Sequence, residues 1–72
     1  MRNVDYFISL SEDYQGLMKG EEYRTYFSKQ ELEAAADWSR QNSPETYSGT
    51  EFSTFDTFLA GVKYAREQRK NS

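Results

Sequence analysis

Neither cysteine nor histidine occurs in these 72 residues. The first absence removes disulfides, thiolate nucleophiles and thiolate metal ligands. The second removes the commonest general base and the commonest transition-metal ligand. Proline occurs only at Pro44. No apolar run approaches about 18 residues, so no membrane span is expected. Arg2 is followed by Asp5 and by no apolar stretch of roughly 7–15 residues, so no signal peptide is expected either. Together these absences lead to the expectation of a cytoplasmic protein.

What is present is aromatic. There are six Tyr, five Phe and one Trp, against seven Val, Ile and Leu. One aromatic side chain buries roughly 150–250 Å², so a few can fill a small core. This argues against disorder, which is poor in aromatics. The length allows a single small domain spanning residues 1–72. Such a chain buries only about 60% of the surface exposed on unfolding, so its stability is expected to be marginal. Six tyrosines exceed what so small a core can hold, and a surplus of Tyr is what protein interfaces use.

The net charge of -3 is unevenly placed. Residues 1–62 carry five cations and eleven carboxylates, whereas Lys63, Arg66, Arg69 and Lys70 face only Glu67 in the last ten residues. Cations in the last turn of a helix complement its dipole by about 0.3–1 kcal/mol each. An isoelectric point near 4.8 weighs against nucleic acid as a partner.

The best-marked element starts at Ser28. Ser28-Lys29-Gln30-Glu31 has capping-box spacing, and Phe27 with Leu32 has the spacing of a hydrophobic staple. A helix is expected to run from there to Gln41 or Asn42, with Leu32, Ala35, Ala36 and Trp38 on its inner arc. Pro44 disfavours helical geometry at Ser43. The connector 43–50 reads as a loop with one possible turn, capped by Ser43 and stopped by Gly49. A further helix is expected from Ser53 or Thr54 to about Arg69, because Phe52, Phe55, Phe58, Leu59, Val62 and Ala65 share a stripe. Gly61 at the edge of that stripe predicts close approach by a neighbour, with Trp38 the candidate.

Residues 1–26 fit two patterns. Val4, Phe7, Ile8, Tyr14 and Met18 fit a helical face, while Val4, Tyr6, Ile8 and Leu10 alternate as a strand would. Asn3 is a good cap, Ser11 is a second possible start, and Gly20 reads as a stop. The fold class expected is therefore mainly α, a small three-helix bundle, with a short β-hairpin as the alternative for residues 1–26. The expected core is Phe7, Ile8, Leu17, Leu32, Ala35, Trp38, Phe55, Phe58, Leu59 and Val62. On that reading Trp38→Ala or Phe58→Ala should cost about 3–5 kcal/mol.

Chemistry finds little to work with. Glu12-Asp13 and Glu21-Glu22 are sequence neighbours, which do not share a helix face. Glu33 and Asp37 do share one, on the solvent side. No D-x-D-x-D-G loop, phosphate-binding glycine pattern or S-x-x-K occurs. Hence no enzyme, cofactor or metal is expected. The candidate partner-binding residues are Tyr6, Tyr14, Glu21, Glu22, Tyr23 and Tyr26.

Phe55-x-x-Phe58-x-x-Gly61-x-x-x-Ala65 with its cationic end resembles the C-terminal helix of short tailed-phage accessory proteins. Tyr26-Phe27-Ser28-x-x-Glu31-Leu32, leading into an Ala-rich helix with Trp38, is similar to them as well. The resemblance covers residues 26–69 and carries no shared site residues. It implies a phage-encoded protein of the host-takeover or anti-defence kind, in the host cytoplasm, that inhibits or modulates a host or phage protein. The alternatives are an acidic DNA mimic blocking a nucleic-acid-binding protein, and a small structural or assembly component. Self-association into a homo-oligomer is compatible with either.

Overall fold

The computed structural model describes residues 2–43 and 47–70. The chain is mainly helical. Four helices occur among the described residues: α1 (Val4–Leu10), α2 (Glu22–Tyr26), α3 (Lys29–Asn42) and α4 (Ser48–Lys70). No strand occurs among them, so the hairpin alternative for residues 1–26 is corrected to helix. Asn3 decides the matter locally. Its Oδ1 accepts the Tyr6 N–H at 2.9 Å and opens α1, which satisfies one of the orphan donors of a helix start. Helical spacing then buries Phe7, Ile8 and Leu10 together.

Ser11 ends α1 and does not start a second helix. Its buried hydroxyl donates to the Ile8 carbonyl at 2.6 Å and accepts the Gly20 N–H at 2.8 Å. One side chain thus pins both ends of the loop between α1 and α2. Gly20 turns the chain there with φ +54°, a conformation that favours glycine. Residues 22–26, ambiguous in sequence, form the short helix α2.

The capping box is present. Ser28 Oγ accepts from the Glu31 N–H at 3.1 Å, and Glu31 Oε1 accepts from the Ser28 N–H at 2.9 Å. α3 ends at Asn42 with Ser43 as its C-cap, donating from its N–H to the Ser39 carbonyl at 2.8 Å. The expectation for Pro44 lies outside the described residues. α4 starts at Ser48, five residues earlier than expected, and Gly49 lies within its first turn. The reason is that Glu51 and Phe52 are both buried, so the inner face begins before Ser53.

α3 packs most extensively against α4, α1 bridges the two, and α2 lies on α3. The core is Phe7, Ile8, Leu10, Tyr23, Phe27, Leu32, Ala35, Ala36, Phe52, Phe55 and Leu59. Phe7 and Phe55 stack at its centre, with ring centroids 4.9 Å apart. Four expected core positions are corrected. Leu17 and Trp38 are exposed, and Phe58 and Val62 are only half-buried. The inner arc of α3 is made of Leu32, Ala35, Ala36 and Ser39. Trp38 is rotated by about 100° from Ser39 and by about 60° from Ala35, out of that arc. Small side chains on the arc bring α4 close and leave no room for an indole. The expected contact over Gly61 is also corrected: a Cβ added there would meet nothing within 4 Å.

Candidate interaction surface

The hydroxyls of Tyr6, Tyr14 and Tyr23 are engaged inside the molecule. Glu51 is 4% exposed. Its Oε1 accepts from Arg2 Nη1 at 2.7 Å and its Oε2 accepts from Tyr6 Oη at 2.5 Å. Its backbone carbonyl accepts from the buried Ser39 hydroxyl at 2.9 Å. A carboxylate this deep is tolerated only because each oxygen has a donor. The Tyr6 hydroxyl ionises above its ordinary value, first because it donates to Glu51 and then because it is partly desolvated.

Tyr23 is fully buried. Its hydroxyl donates to Asp56 Oδ1 at 2.6 Å, and the same oxygen accepts the Leu17 N–H at 3.1 Å. Burial pushes the Tyr23 hydroxyl well above the normal tyrosine range, and the bond to Asp56 adds to the shift. Tyr14 Oη and Ser48 Oγ are 2.7 Å apart, which ties the loop after α1 to the start of α4.

Arg66 closes the far end of the α3–α4 pair. It donates to the Tyr26 carbonyl at 2.6 Å and to Glu31 Oε1 at 2.7 Å, and its guanidinium lies 5.1 Å from the Tyr26 ring centroid. Beside an aromatic face such a cation gains about 0.5–1 kcal/mol at an exposed site. Glu31 therefore both caps α3 and ties it to α4.

The six residues expected to bind a partner do not form one free patch. Tyr23 is corrected to a core residue and offers nothing to a partner in the folded chain. Tyr6, Tyr14 and Tyr26 are half-buried and held by Glu51, Ser48 and Arg66. Glu21 and Glu22 are exposed at the start of α2. Among the described residues the exposed large hydrophobic side chains are Leu17, Trp38, Tyr47 and Tyr64. Trp38 is 47% exposed and its ring rests on Phe58, centroids 6.2 Å apart. Tyr64, 64% exposed, lies further along the outer side of α4. Sequence periodicity contained the signal for Tyr64, since it falls opposite the Phe55–Leu59 stripe. For Trp38 the signal was its angular offset from Ala35 and Ser39.

The surface also bears a cleft of about 360 Å³ at the junction of α1, α2 and the start of α3. Val4, Phe27 and Leu32 supply its apolar part, and Asp5, Arg24, Lys29 and Glu33 its charged part. Asp5 and Arg24 are already paired with each other. Among the described residues no group of three or more acidic side chains could hold a metal ion. No helix of the described residues is long and apolar enough to cross a membrane. Comparison with known protein families, curated proteins and solved structures finds no match.

Proposed function

We propose that this chain is a non-enzymatic protein-binding module whose contact surface is the outer face of α3 and α4, centred on Trp38. The supporting observation is an indole left 47% exposed in a protein that keeps nine of its other eleven aromatic residues buried or half-buried. Trp is enriched at binding hot spots because one rigid ring removes a large area from water. Phe58 beside it is half-buried, so the pair forms an apolar site and not an isolated side chain. The resemblance of residues 26–69 to phage accessory proteins supports the finer reading: a phage-encoded inhibitor or modulator of a host protein, acting in the host cytoplasm. That reading moves the contact surface from the N-terminal tyrosines to α3 and α4.

An acidic DNA mimic is the second reading. It is favoured by the exposed carboxylates Glu12, Asp13 and Glu21 between α1 and α2 and Glu22 at the start of α2. Three other carboxylates, Glu31, Glu51 and Asp56, are spent on internal bonds, which thins the acidic surface. Affinity capture from bacterial lysate separates the two readings. For the module, Trp38→Gln loses the captured protein and competing DNA does not displace it. For the mimic, DNA displaces the captured protein and Trp38→Gln retains it. Capture that ignores both Trp38→Gln and DNA would overturn both surfaces.

A further inference from the structure

We propose that the cleft between Tyr26 and the end of α4 binds the carboxylates of an acidic segment of the protein partner. This rests on the reading of α3 and α4 as a contact surface, and it names the chemistry of the occupant.

The first argument is the lining. A cleft of about 320 Å³ is bounded by Tyr26, Arg66, Arg69 and Lys70. Among the described residues no carboxylate lines it. Arg66 is held in place in the folded chain. It donates to the Tyr26 carbonyl and to Glu31 Oε1, and its guanidinium lies over the Tyr26 and Phe27 rings. Those two bonds use two of its five N–H donors, so a second acceptor can be met by a guanidinium already positioned. Cations at a helix end complement its dipole, which accounts for Arg69 and Lys70 in the last turn of α4. It does not account for Arg66, or for the convergence of all three on one cleft beside a phenol ring.

The second argument is the charge of the rest of the molecule. Residues 63–72 carry four cations and one carboxylate, while residues 1–62 carry five cations and eleven carboxylates. A nucleic acid is charged along its whole length. A strand seated in the cleft would run on over an acidic body and be repelled. A polypeptide can place two or three carboxylates in the cleft and neutral residues beyond it, which is the complementary pattern.

The third argument is continuity with the apolar site. Phe58, Val62, Ala65 and Arg69 fall within about 60° of one another round α4. This strip leads from the Trp38–Phe58 contact to the cleft. Arg69 stands about 16 Å beyond Phe58 along the helix axis. An extended chain covers that distance in about five residues. The expected segment therefore has an apolar anchor for Trp38 and Phe58, with carboxylates about five residues away.

Titration of the isotope-labelled full chain, followed by amide NMR, tests this. The probe is a synthetic peptide with one leucine and, five residues on, three glutamates, spaced by glycine and serine. Ion pairs at an exposed rim are individually weak, so a dissociation constant on the order of 0.1–1 mM is expected. Shifts should map to Tyr26 and residues 65–70, and Trp38 emission should change with them. Raising sodium chloride from about 50 mM to about 500 mM should weaken binding at least fivefold. Arg69→Glu with Lys70→Glu should weaken it at least tenfold, and Arg69→Gln with Lys70→Gln by a smaller factor. Circular dichroism checks that both pairs of changes leave the helices intact. Lys19→Glu with Lys29→Glu alters the net charge equally, lies outside the cleft, and should bind within about twofold of wild type at the higher salt. The proposal is overturned if the peptide does not bind, or if the two charge-reversed pairs lose binding alike. It is also overturned if a ten-nucleotide oligothymidylate fills the cleft more tightly than the peptide. Concentration-dependent shifts at residues 65–70 without peptide would overturn it too, by making a second copy the occupant. A peptide that fails to bind, with lysate capture still lost in Trp38→Gln, would sink the acidic occupant and leave the contact-surface reading standing. Peptide binding through the cleft, with capture indifferent to Trp38→Gln, would sink that reading and keep the carboxylate site.

Discussion

The bond between Tyr23 and Asp56 should behave asymmetrically when its two ends are removed. In Tyr23→Phe the ring keeps its place among Phe27, Phe52 and Phe55, so packing is unchanged. What is lost is one hydroxyl donated to a carboxylate. Bonds to charged groups contribute about 1.5–3 kcal/mol, and a half-buried Asp56 can take water in exchange, so the cost should be about 1.5 kcal/mol. In Asp56→Ala the fully buried Tyr23 hydroxyl keeps no acceptor, and the desolvation of that hydroxyl raises the cost to about 3 kcal/mol. Once Asp56 is gone, removing the hydroxyl as well should cost nothing more. Urea unfolding of the four members of this cycle, followed by circular dichroism, measures each value. The pH dependence adds a sign. The folded-state pKa of Tyr23 is raised, so its contribution is complete below the unfolded value near 10 and is lost as pH rises above it. Tyr23→Phe should therefore lose less stability than wild type above pH 10. A cycle in which Tyr23→Phe costs as much as Asp56→Ala, or in which the two costs add, would refute the reasoning.

Two further outcomes follow from burial. Phe55→Ala, at the stacked centre of the core, should cost about 3–5 kcal/mol and abolish the cooperative melt, while Trp38→Ala should stay within about 1 kcal/mol of wild type. Thermal melts of the two variants check this, and a Trp38→Ala chain that fails to fold would show that the indole closes the core after all. Among the glycines, Gly16→Ala should destabilise, because its Cβ would stand 2.7 Å from Tyr23 Oη and 2.8 Å from Phe52 Cζ. Gly61→Ala should instead stabilise by up to about 1 kcal/mol, again by urea unfolding.

Local rules were legible in the sequence where one residue type does one job. Asn3 and the Ser28–Glu31 box set helix starts that the structure reproduces, and Pro44 marked the region in which α3 ends. The stripe through Phe55 and Leu59 identified the inner face of α4. The misses share a physical cause. Periodicity ranks positions by angle, but which neighbour fills the space is a tertiary matter. Trp38 seemed a core residue because it is large and apolar, yet the arc nearest α4 is taken by Ala35, Ala36 and Ser39. Tyr23 reads as a contact residue because it is polar, and no local pattern marks Glu51 for burial. Their burial depends on Asp56, Arg2 and Tyr6, which lie 33 to 49 positions away in sequence. For the same reason the N-terminal tyrosines could not be read as internal from sequence alone.

α1 has only seven residues, far fewer than the roughly 12–15 at which an isolated helix becomes marginal in water. It is helical because it is docked. Phe7 stacks on Phe55, Tyr6 and Arg2 converge on Glu51, and Arg40 donates to the Arg2 carbonyl at 2.5 Å. Undocking α1 would uncover a buried carboxylate and half of the central ring pair in the same movement. Melting of this helix and exposure of the core are therefore a single event. In amide exchange, α1 and the first turns of α4 should open together with the whole fold, while the exposed turns after Arg66 fray separately. A chain whose shortest helices cannot exist alone has no stable partly folded form to visit, and its cooperativity comes from that dependence.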